Sequence, residues 1–217
     1  MVIDPHVHTV ASNAINTVYE LAHAGKEKGL WGIAFTEHGP SMRGAPAANY
    51  FELLPRFPSD LNGVRIFTGC EANIVDETGA IDLDWARARP LQWIIAGLHQ
   101  ETSYAGGTEH DNTTALVAAL GNPLVDALSH PYRPEFPCDI RRVVAAATAV
   151  GKPVEINASV VRRNTDDAVN GTKSLIDACR QANALVFVGS DAHIAYELGD
   201  DAGVRALDLG GLRILND

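Results

Sequence analysis

Seven short runs of apolar and β-branched residues recur along this sequence, and segments with helical character separate most of them. The runs cover residues 2–8, 31–38, 64–71, 93–99, 124–130, 153–157 and 185–193. Strands that alternate with helices pair in parallel through right-handed crossovers, so their sheet is either open and doubly wound or closed into a barrel. Seven strand–helix units favour the barrel. We therefore predict an α/β fold built on a seven-stranded (β/α)7 barrel.

Helix-boundary residues support this alternation. Thr17 and Glu20 form a capping-box pattern, and Gly29 ends the helix that they begin. Asp139 can cap a second helix, which ends near Gly151. Further helices are expected over residues 113–120, 172–182 and 200–209, and the longest irregular stretch is the loop 39–58.

Composition and charge limit the possible classes of protein. A chain of 217 residues with 46% hydrophobic and 20% charged residues can form one large α/β domain, so we expect residues 1–217 to fold as a single unit. No apolar stretch approaches the ~18 residues of a membrane span. The first residues also lack the cationic and apolar regions of a signal peptide, so we expect a cytoplasmic protein without a membrane partner. A net charge of −10 argues against long nucleic acid as a partner.

The histidines carry the chemical information. Six of the eight lie at or just past the C-terminal ends of predicted strands: His6, His8, His38, His99, His130 and His193. Glu71 and Asp191 end strands in the same way, and in a parallel sheet all these ends open onto one face. His6 and His8 are two residues apart, so both side chains point to the same side and can chelate one ion. Imidazole and carboxylate together suit zinc, manganese or iron.

Six short motifs occur in an order that resembles a known family. They are Asp-Pro-His-Val-His-Thr at 4–9, Thr-Glu-His-Gly at 36–39, Gly-Cys-Glu at 69–71, Gly-Leu-His at 97–99, Ser-His-Pro at 129–131 and Gly-Ser-Asp-Ala-His at 189–193. Together they resemble the metal motifs of the PHP (polymerase and histidinol phosphatase) family, and most of all its small stand-alone bacterial phosphatases. The resemblance implies a distorted seven-stranded β/α barrel with two or three divalent metal ions at the strand C-termini.

The same resemblance implies a role for each motif residue. It assigns the first metal to His6, His8, Glu71 and Asp191, and a second metal to Glu71, His99 and His130. Glu71 is then the bridging ligand. His38 and His193 begin a third site.

Two positions depart from the family pattern. Glu37 stands where an Asp commonly precedes the histidine, which is a mild change. Ala14 stands where the closest relatives place a further histidine ligand. A third ion at His38 and His193 would then depend on water, bound phosphate or a neighbour such as Asn13, a weaker donor toward zinc than imidazole.

Paired divalent ions about 3.5–4 Å apart hold a bridging hydroxide at neutral pH and clamp a phosphorus centre. We therefore expect a metal-dependent hydrolase that cleaves phosphate monoesters of a small soluble metabolite. Such an enzyme also needs a cation for the phosphate oxygens and a proton donor for the leaving group. Arg43 and Arg163 are the candidate cations, and His193 or His38 is the candidate acid.

Two other functions remain open. One is a nuclease or nucleotide phosphodiesterase with the same chemistry, which the acidic balance disfavours for long substrates. The other is a non-catalytic PHP interaction domain stabilised by metal, although a structural site normally closes with four ligands. His23 and His110 are expected on the surface, with His110 in a loop. Asp4 either orients a ligand histidine or caps the end of a strand.

Overall fold

The computed structural model describes residues 1–217 and contains one curled sheet of nine strands. The strands are β1 (Ile3–Val7), β2 (Gly32–His38), β3 (Asp60–Leu61), β4 (Val64–Asn73), β5 (Trp93–Gly97), β6 (Ala127–Leu128), β7 (Val154–Asn157), β8 (Leu185–Gly189) and β9 (Arg213–Ile214). Their order is β1-β2-β4-β5-β6-β7-β8-β9, all parallel, and β3 pairs antiparallel with β4. All seven predicted strands are present, whereas β3 and β9 were not predicted.

The two ends of this sheet meet. Beside the C-terminal end of β8, the backbone N of Asp191 donates a 2.9 Å hydrogen bond to the carbonyl of His6. Nearer the start of β1, the side-chain amide of Asn216 donates to the carbonyls of Ile3 (2.9 Å) and Val188 (2.8 Å), so the chain's last residues lie between β1 and β8. The seven predicted strands thus form the predicted distorted barrel, and the C-terminal tail fills the gap that the distortion leaves.

Seven helices accompany the strands. They are α1 (Val18–Glu27), α2 (Trp85–Ala88), α3 (Glu109–Leu120), α4 (Ile140–Val150), α5 (Ala158–Arg162), α6 (Asp166–Ala182) and α7 (Ala202–Arg205). The loop 39–58 contains two 3₁₀ turns, Ala48–Tyr50 and Leu54–Arg56. None of these helices has the length and apolarity needed to cross a bilayer.

The capping residues explain where the helices begin and end. Both hydrogen bonds of the Thr17–Glu20 capping box are present, and Gly151 ends α4 with a φ of 70°, as the sequence predicts. Two helices begin earlier than predicted because Thr108 caps α3 and Thr165 caps α6. The helix predicted over 200–209 is wrong in length, since α7 has only four residues.

Two faces of the barrel strands have different surroundings. Leu116 of α3, Val143 of α4 and Leu175 of α6 belong to a cluster of 25 buried residues that packs these helices on the outer face of the sheet. Alternate residues point inward. Ile95 and Phe187, which belong to a separate small cluster, lie on this inner face and fill the barrel below its C-terminal end. The polar residues above them therefore line the one end of the barrel that is not filled by apolar side chains.

Candidate metal centre

Eight side chains from six strands and the loops that follow them converge at the C-terminal end of the barrel. They are the eight predicted ligands, His6, His8, His38, Glu71, His99, His130, Asp191 and His193. Six of them are almost inaccessible to solvent, but the side chains of Asp191 and His193 are 15% and 34% exposed. The centre is therefore open on the side of Asp191 and His193.

Glu71 lies in the middle of this group. Five imidazole nitrogens lie within 3.4 Å of its oxygens: His130 Nε2 (2.7 Å) and His99 Nε2 (3.1 Å) beside Oε1, and His38 Nδ1 (2.8 Å), His6 Nε2 (3.3 Å) and His8 Nε2 (3.4 Å) beside Oε2. Neither oxygen has a hydrogen-bond partner in acceptable geometry, although both are fully buried. Buried polar atoms normally have partners, so this carboxylate has the environment expected of a metal ligand.

Two pairs of imidazoles have the separation of metal ligands. His6 Nε2 and His8 Nε2 are 3.1 Å apart, and His99 Nε2 and His130 Nε2 are 3.3 Å apart. Two nitrogens at about 2.0–2.1 Å from one tetrahedral ion lie about 3.3 Å from each other. Asp191 Oδ1 lies 3.3 Å from His8 Nε2, which adds a second carboxylate to the first pair. Each pair together with Glu71 could therefore hold one ion.

A third group consists of His8, His38 and His193, whose potential ligand atoms all lie within 4.8 Å of one another. The ring of His8 stacks on that of His38 with centroids 4.3 Å apart. This group shares His8 with the first pair. Because the His6–His8 pair and this third group share one imidazole, the third group can hold an ion only if another donor is added.

The loop between β1 and α1 covers this third group without supplying that donor. Ser12 Oγ accepts a 2.9 Å hydrogen bond from the backbone N of His38, and the backbone N of Ile15 donates to the carbonyl of His193. Ala14 lies between these contacts and has only a methyl group. The amide of Asn13 donates to the carbonyl of Arg43 at 3.0 Å, so this side chain is engaged elsewhere.

Burial and nearby charges shift the pKa values of the imidazoles in the centre in opposite directions. Burial opposes protonation of His8, but the carboxylates of Asp191 and Glu71 outweigh burial and raise the pKa of His8 to about 9. Burial and the charge of His8 lower the pKa of His38 to about 3. Burial raises the pKa of the Glu71 carboxyl, but the surrounding imidazoles hold it well below its usual range. Without metal, the carboxylates are thus ionised and His38 is neutral.

Local backbone geometry brings the ligands close together. His130 and Asp191 have φ values of 24° and 52°, in the left-handed region that costs a non-glycine residue roughly 1–3 kcal/mol. A Cβ on Gly97 would lie 2.4 Å from Ser129 Oγ and 2.9 Å from the His130 ring, so only glycine fits there. The structure thus has unfavourable backbone conformations at His130 and Asp191, and a glycine at Gly97, at the place where the candidate ligands come together.

Sequence reasoning missed two residues of β7 behind the centre. Glu155 is fully buried and lies 2.7 Å from His6 Nδ1, and Asn157 donates to Asp191 Oδ2 at 3.3 Å. The available signal was a carboxylate inside an apolar strand, between Val154 and Ile156. A buried carboxylate needs partners, and β7 itself supplies only the amide of Asn157, so the others must come from elsewhere in the fold.

The two candidate arginines each face a glutamate. Arg43 is 84% exposed and its guanidinium is 3.9 Å from Glu101, whereas Arg163 makes a 2.9 Å ion pair with Glu135. Neither has a contact with the eight predicted ligands.

Arg133, which sequence reasoning did not select, lies nearer to the centre. Burial lowers the pKa of His130, and the charge of Arg133 lowers it further. Arg133 Nε is 3.7 Å from the same Glu135 carboxylate that pairs with Arg163. The signal in the sequence was its position three residues after His130.

The remaining polar residues behave mostly as predicted. Asp4 accepts hydrogen bonds from the backbone N of Ser190 (3.1 Å) and Gly199 (2.8 Å), so it fixes strand ends and orients no imidazole. His23 and His110 are both exposed. The placement of His110 in a loop is wrong, because the cap at Thr108 brings it into the first turn of α3.

Similarity to known proteins agrees with this site. A probable phosphatase of Caldanaerobacter subterraneus subsp. tengcongensis is 40% identical over 210 residues, which cover 96% of this chain and 83% of the relative. A probable phosphatase of Acetivibrio thermocellus is 38% identical over 201 residues, covering 91% and 82%. The crystal structure of histidinol phosphate phosphatase from Lactococcus lactis subsp. lactis has the same fold, with a TM-score of 0.69 at 16% identity over 98% of this chain and 95% of that one.

These relatives and the centre define the class of protein as a metal-dependent phosphoesterase. Within that class the chain belongs to the PHP domain family, whose match covers residues 4–159. The resemblance seen in the sequence is thereby confirmed.

Proposed function

We propose that this protein hydrolyses phosphate monoesters of a small soluble metabolite at a centre of two divalent ions. The observation that supports it most is the Glu71 carboxylate, which is buried, has no hydrogen bond and faces a different imidazole pair with each oxygen. In this proposal Glu71 bridges two ions. His6, His8 and Asp191 complete one site, and His99 and His130 complete the other. Zinc, manganese and iron all suit these ligands.

When bound, paired divalent ions supply an activated water as nucleophile and stabilise the negative charge at phosphorus. The protein keeps this chemistry away from bulk solvent, because most of the ligands are buried. Substrate enters on the side of Asp191 and His193, the only ligands with appreciable exposure. A small phosphate fits such an opening better than a long polymer, whose backbone would need a basic groove.

His193 is the better of the two candidate proton donors. With a pKa of about 3, His38 carries no proton at neutral pH. Burial and the charge of His8 lower the pKa of His193 as well, so the preference for His193 rests on its position. His193 is half-buried beside the opening, where the leaving group of the substrate departs.

Arginines supply the positive charge for the phosphate in this proposal. We assign this role to Arg163 and Arg43, as the sequence suggests, and add Arg133. Glu135 lies 2.9 Å from Arg163 and 3.7 Å from Arg133, so a phosphate dianion would compete with this carboxylate for both guanidinium groups. The side chain of Arg43 is 84% exposed, so it can change rotamer without disturbing the barrel.

A matched pair of substrates tests the reaction. We expect the metal-loaded protein to hydrolyse p-nitrophenyl phosphate at least about tenfold faster than bis(p-nitrophenyl) phosphate, because the leaving group is the same and only the monoester carries two charges. Small natural monoesters should release inorganic phosphate in the same assay. A single-stranded DNA oligomer at the same enzyme concentration should stay intact, because the net charge is −10.

Each result separates the candidate functions. Release of nucleotides from the oligomer, or preference for the diester, would show a nuclease or phosphodiesterase. Metal binding without turnover of any phosphate ester would show a non-catalytic metal-stabilised domain. The same substrates incubated without protein give the background for all three measurements.

A second prediction concerns the number of metals. We expect two well-occupied ions in protein purified without added metal or phosphate, with the third position at His38 and His193 empty or partly occupied, because Ala14 supplies no ligand. The Ala14→His variant should gain a third ion, measured as metal-to-protein stoichiometry and as anomalous scattering in crystals. Imidazole is a far stronger donor toward zinc than the amide or water that it replaces.

The loop provides a control for this variant. Ala11→His adds the same side chain to the same half-buried loop, but three residues away, so it should leave the stoichiometry at two. Three equally occupied ions in the parent protein would contradict the prediction and show that another group compensates for Ala14.

A further inference from the structure

A buried carboxylate behind the centre contacts ligands of both proposed metal sites. Glu155 Oε1 accepts a 2.7 Å hydrogen bond from His6 Nδ1, and Oε2 accepts a 2.7 Å hydrogen bond from the backbone N of His130. His6 belongs to one site and His130 to the other. We propose that Glu155 is a positioning residue that sets the geometry of both sites at once. This inference rests on the proposed two-metal centre.

The contact with His6 determines which nitrogen can bind metal. A carboxylate can only accept, so His6 carries its proton on Nδ1. The lone pair is then on Nε2, which lies 3.3 Å from Glu71 Oε2 and 3.1 Å from His8 Nε2. Glu155 thus presents His6 in the tautomer and ring orientation that a metal site needs.

The contact with His130 acts through the backbone. His130 has a φ of 24°, which a non-glycine residue adopts only when its surroundings hold it there. Its N–H donates a short hydrogen bond of 2.7 Å to the fully buried carboxylate of Glu155. It fixes the turn from which the His130 ring reaches Glu71 Oε1 at 2.7 Å.

Asn157 extends the same arrangement to a third ligand. Its side-chain amide lies 3.1 Å from Glu155 Oε2 and 3.3 Å from Asp191 Oδ2. Its Oδ1 accepts from the backbone N of Val160 at 2.9 Å, which fixes the rotamer of the amide. Asp191 Oδ1 is thereby left free on the side of the His6–His8 pair.

The neighbouring strand has the one residue that makes room for Glu155. A Cβ on Gly189 of β8 would lie 2.1 Å from Glu155 Oε1 and 2.8 Å from the Cβ of His6. Any larger residue at 189 would displace the carboxylate from His6. The contact between Glu155 and His6 therefore depends on two strands. β7 supplies the carboxylate of Glu155, and β8 leaves room for it at Gly189.

Replacement of Glu155 by glutamine separates positioning from simple filling of space. Glutamine has nearly the same volume, but its amide has one acceptor oxygen and a donor NH₂. Its one oxygen can accept the hydrogen bond from His6 Nδ1 or the one from His130 N, but not both. The N–H that is left over then faces the NH₂ group of the glutamine, which is itself a donor. Zinc affinity should fall about ten- to a hundredfold, the usual effect of losing an outer partner of a metal-bound histidine.

The experiment measures zinc stoichiometry and affinity of the full chain by competition with a chromophoric chelator. Asp126→Asn is the matched control. The Asp126 carboxylate also accepts a backbone hydrogen bond, from Ile94 N at 2.8 Å, but it precedes β6 at the other end of the barrel. This control should bind zinc as the parent does. Circular dichroism verifies that both variants are folded.

A second measurement needs no variant. Long-range ¹H–¹⁵N spectra of the zinc-loaded parent, labelled on histidine, show which nitrogen of His6 carries the proton. We expect a proton on Nδ1, shifted downfield by the carboxylate. In Glu155→Gln this resonance should move upfield or disappear, a change that a merely structural role would not produce.

The outcomes distinguish this inference from the proposed function. Parental zinc affinity in Glu155→Gln, or a His6 proton on Nε2 in the parent, would overturn the positioning role even if the enzyme hydrolyses monoesters. Conversely, a parent that binds zinc but hydrolyses no ester would contradict the function, while weaker zinc binding in Glu155→Gln would still support the positioning role.

Discussion

We expect the Glu71→Ala variant to lose at least about a thousandfold in kcat/KM for p-nitrophenyl phosphate while the barrel remains folded. Removing one stabilising group at a reaction centre already costs roughly a hundred- to a thousandfold. Glu71 serves two proposed sites, because five imidazole nitrogens lie within 3.4 Å of its oxygens. The measurement is initial rate together with bound metal per chain.

The loss should appear in metal content as well as in rate. Without the bridging carboxylate, the His99–His130 pair retains two neutral nitrogens and no anionic ligand, so the second ion should be lost first. Glu77→Ala is the matched control, since Glu77 is an exposed carboxylate six residues further along the chain. Activity of Glu71→Ala within tenfold of the parent would contradict the bridging role.

Most of the candidate centre was predictable because of one geometric fact. Ligand residues such as His38 and His130 stand at strand ends, and parallel strands in a barrel open onto one face. The number of residues between these positions in the sequence does not affect where their side chains meet. Strand alternation also requires Cys70 and Glu71 to lie on opposite faces of β4, and in the structure Cys70 packs outward with Phe51 while Glu71 points inward.

The parts that were missed depend on contacts rather than on pattern. Glu155 acts on His6, which lies 149 residues away, and no local periodicity records that contact. Strands β3 and β9 have two residues each and, unlike the equally short β6, do not lie within a longer apolar run. Arg133 was missed for a related reason, since its effect on His130 comes from the charge that the folded chain holds near this imidazole.

Removal of the metal gives the second large effect. We expect a strong chelator to reduce phosphate release to background, because the proposed nucleophile and most of the charge stabilisation come with the ions. Added zinc or manganese should restore the rate. Magnesium and calcium should not, since both prefer oxygen ligands and this centre offers mainly imidazole. Full activity after exhaustive chelation would contradict a metal-dependent reaction.

The zinc affinity of the metal-free protein should also depend on pH, and the pKa of His8 determines the direction of this dependence. The pKa of His8 is raised to about 9, so in the metal-free protein this imidazole holds a proton at neutral pH. Metal needs the neutral imidazole, so binding must release that proton. Zinc affinity should therefore rise by up to about tenfold per pH unit for each proton released and level off above the pKa of His8.

Titration of metal-free protein between neutral pH and about pH 9, with proton release followed in weak buffer, measures this dependence. Affinity that does not change with pH would show that His8 is already neutral before the metal arrives.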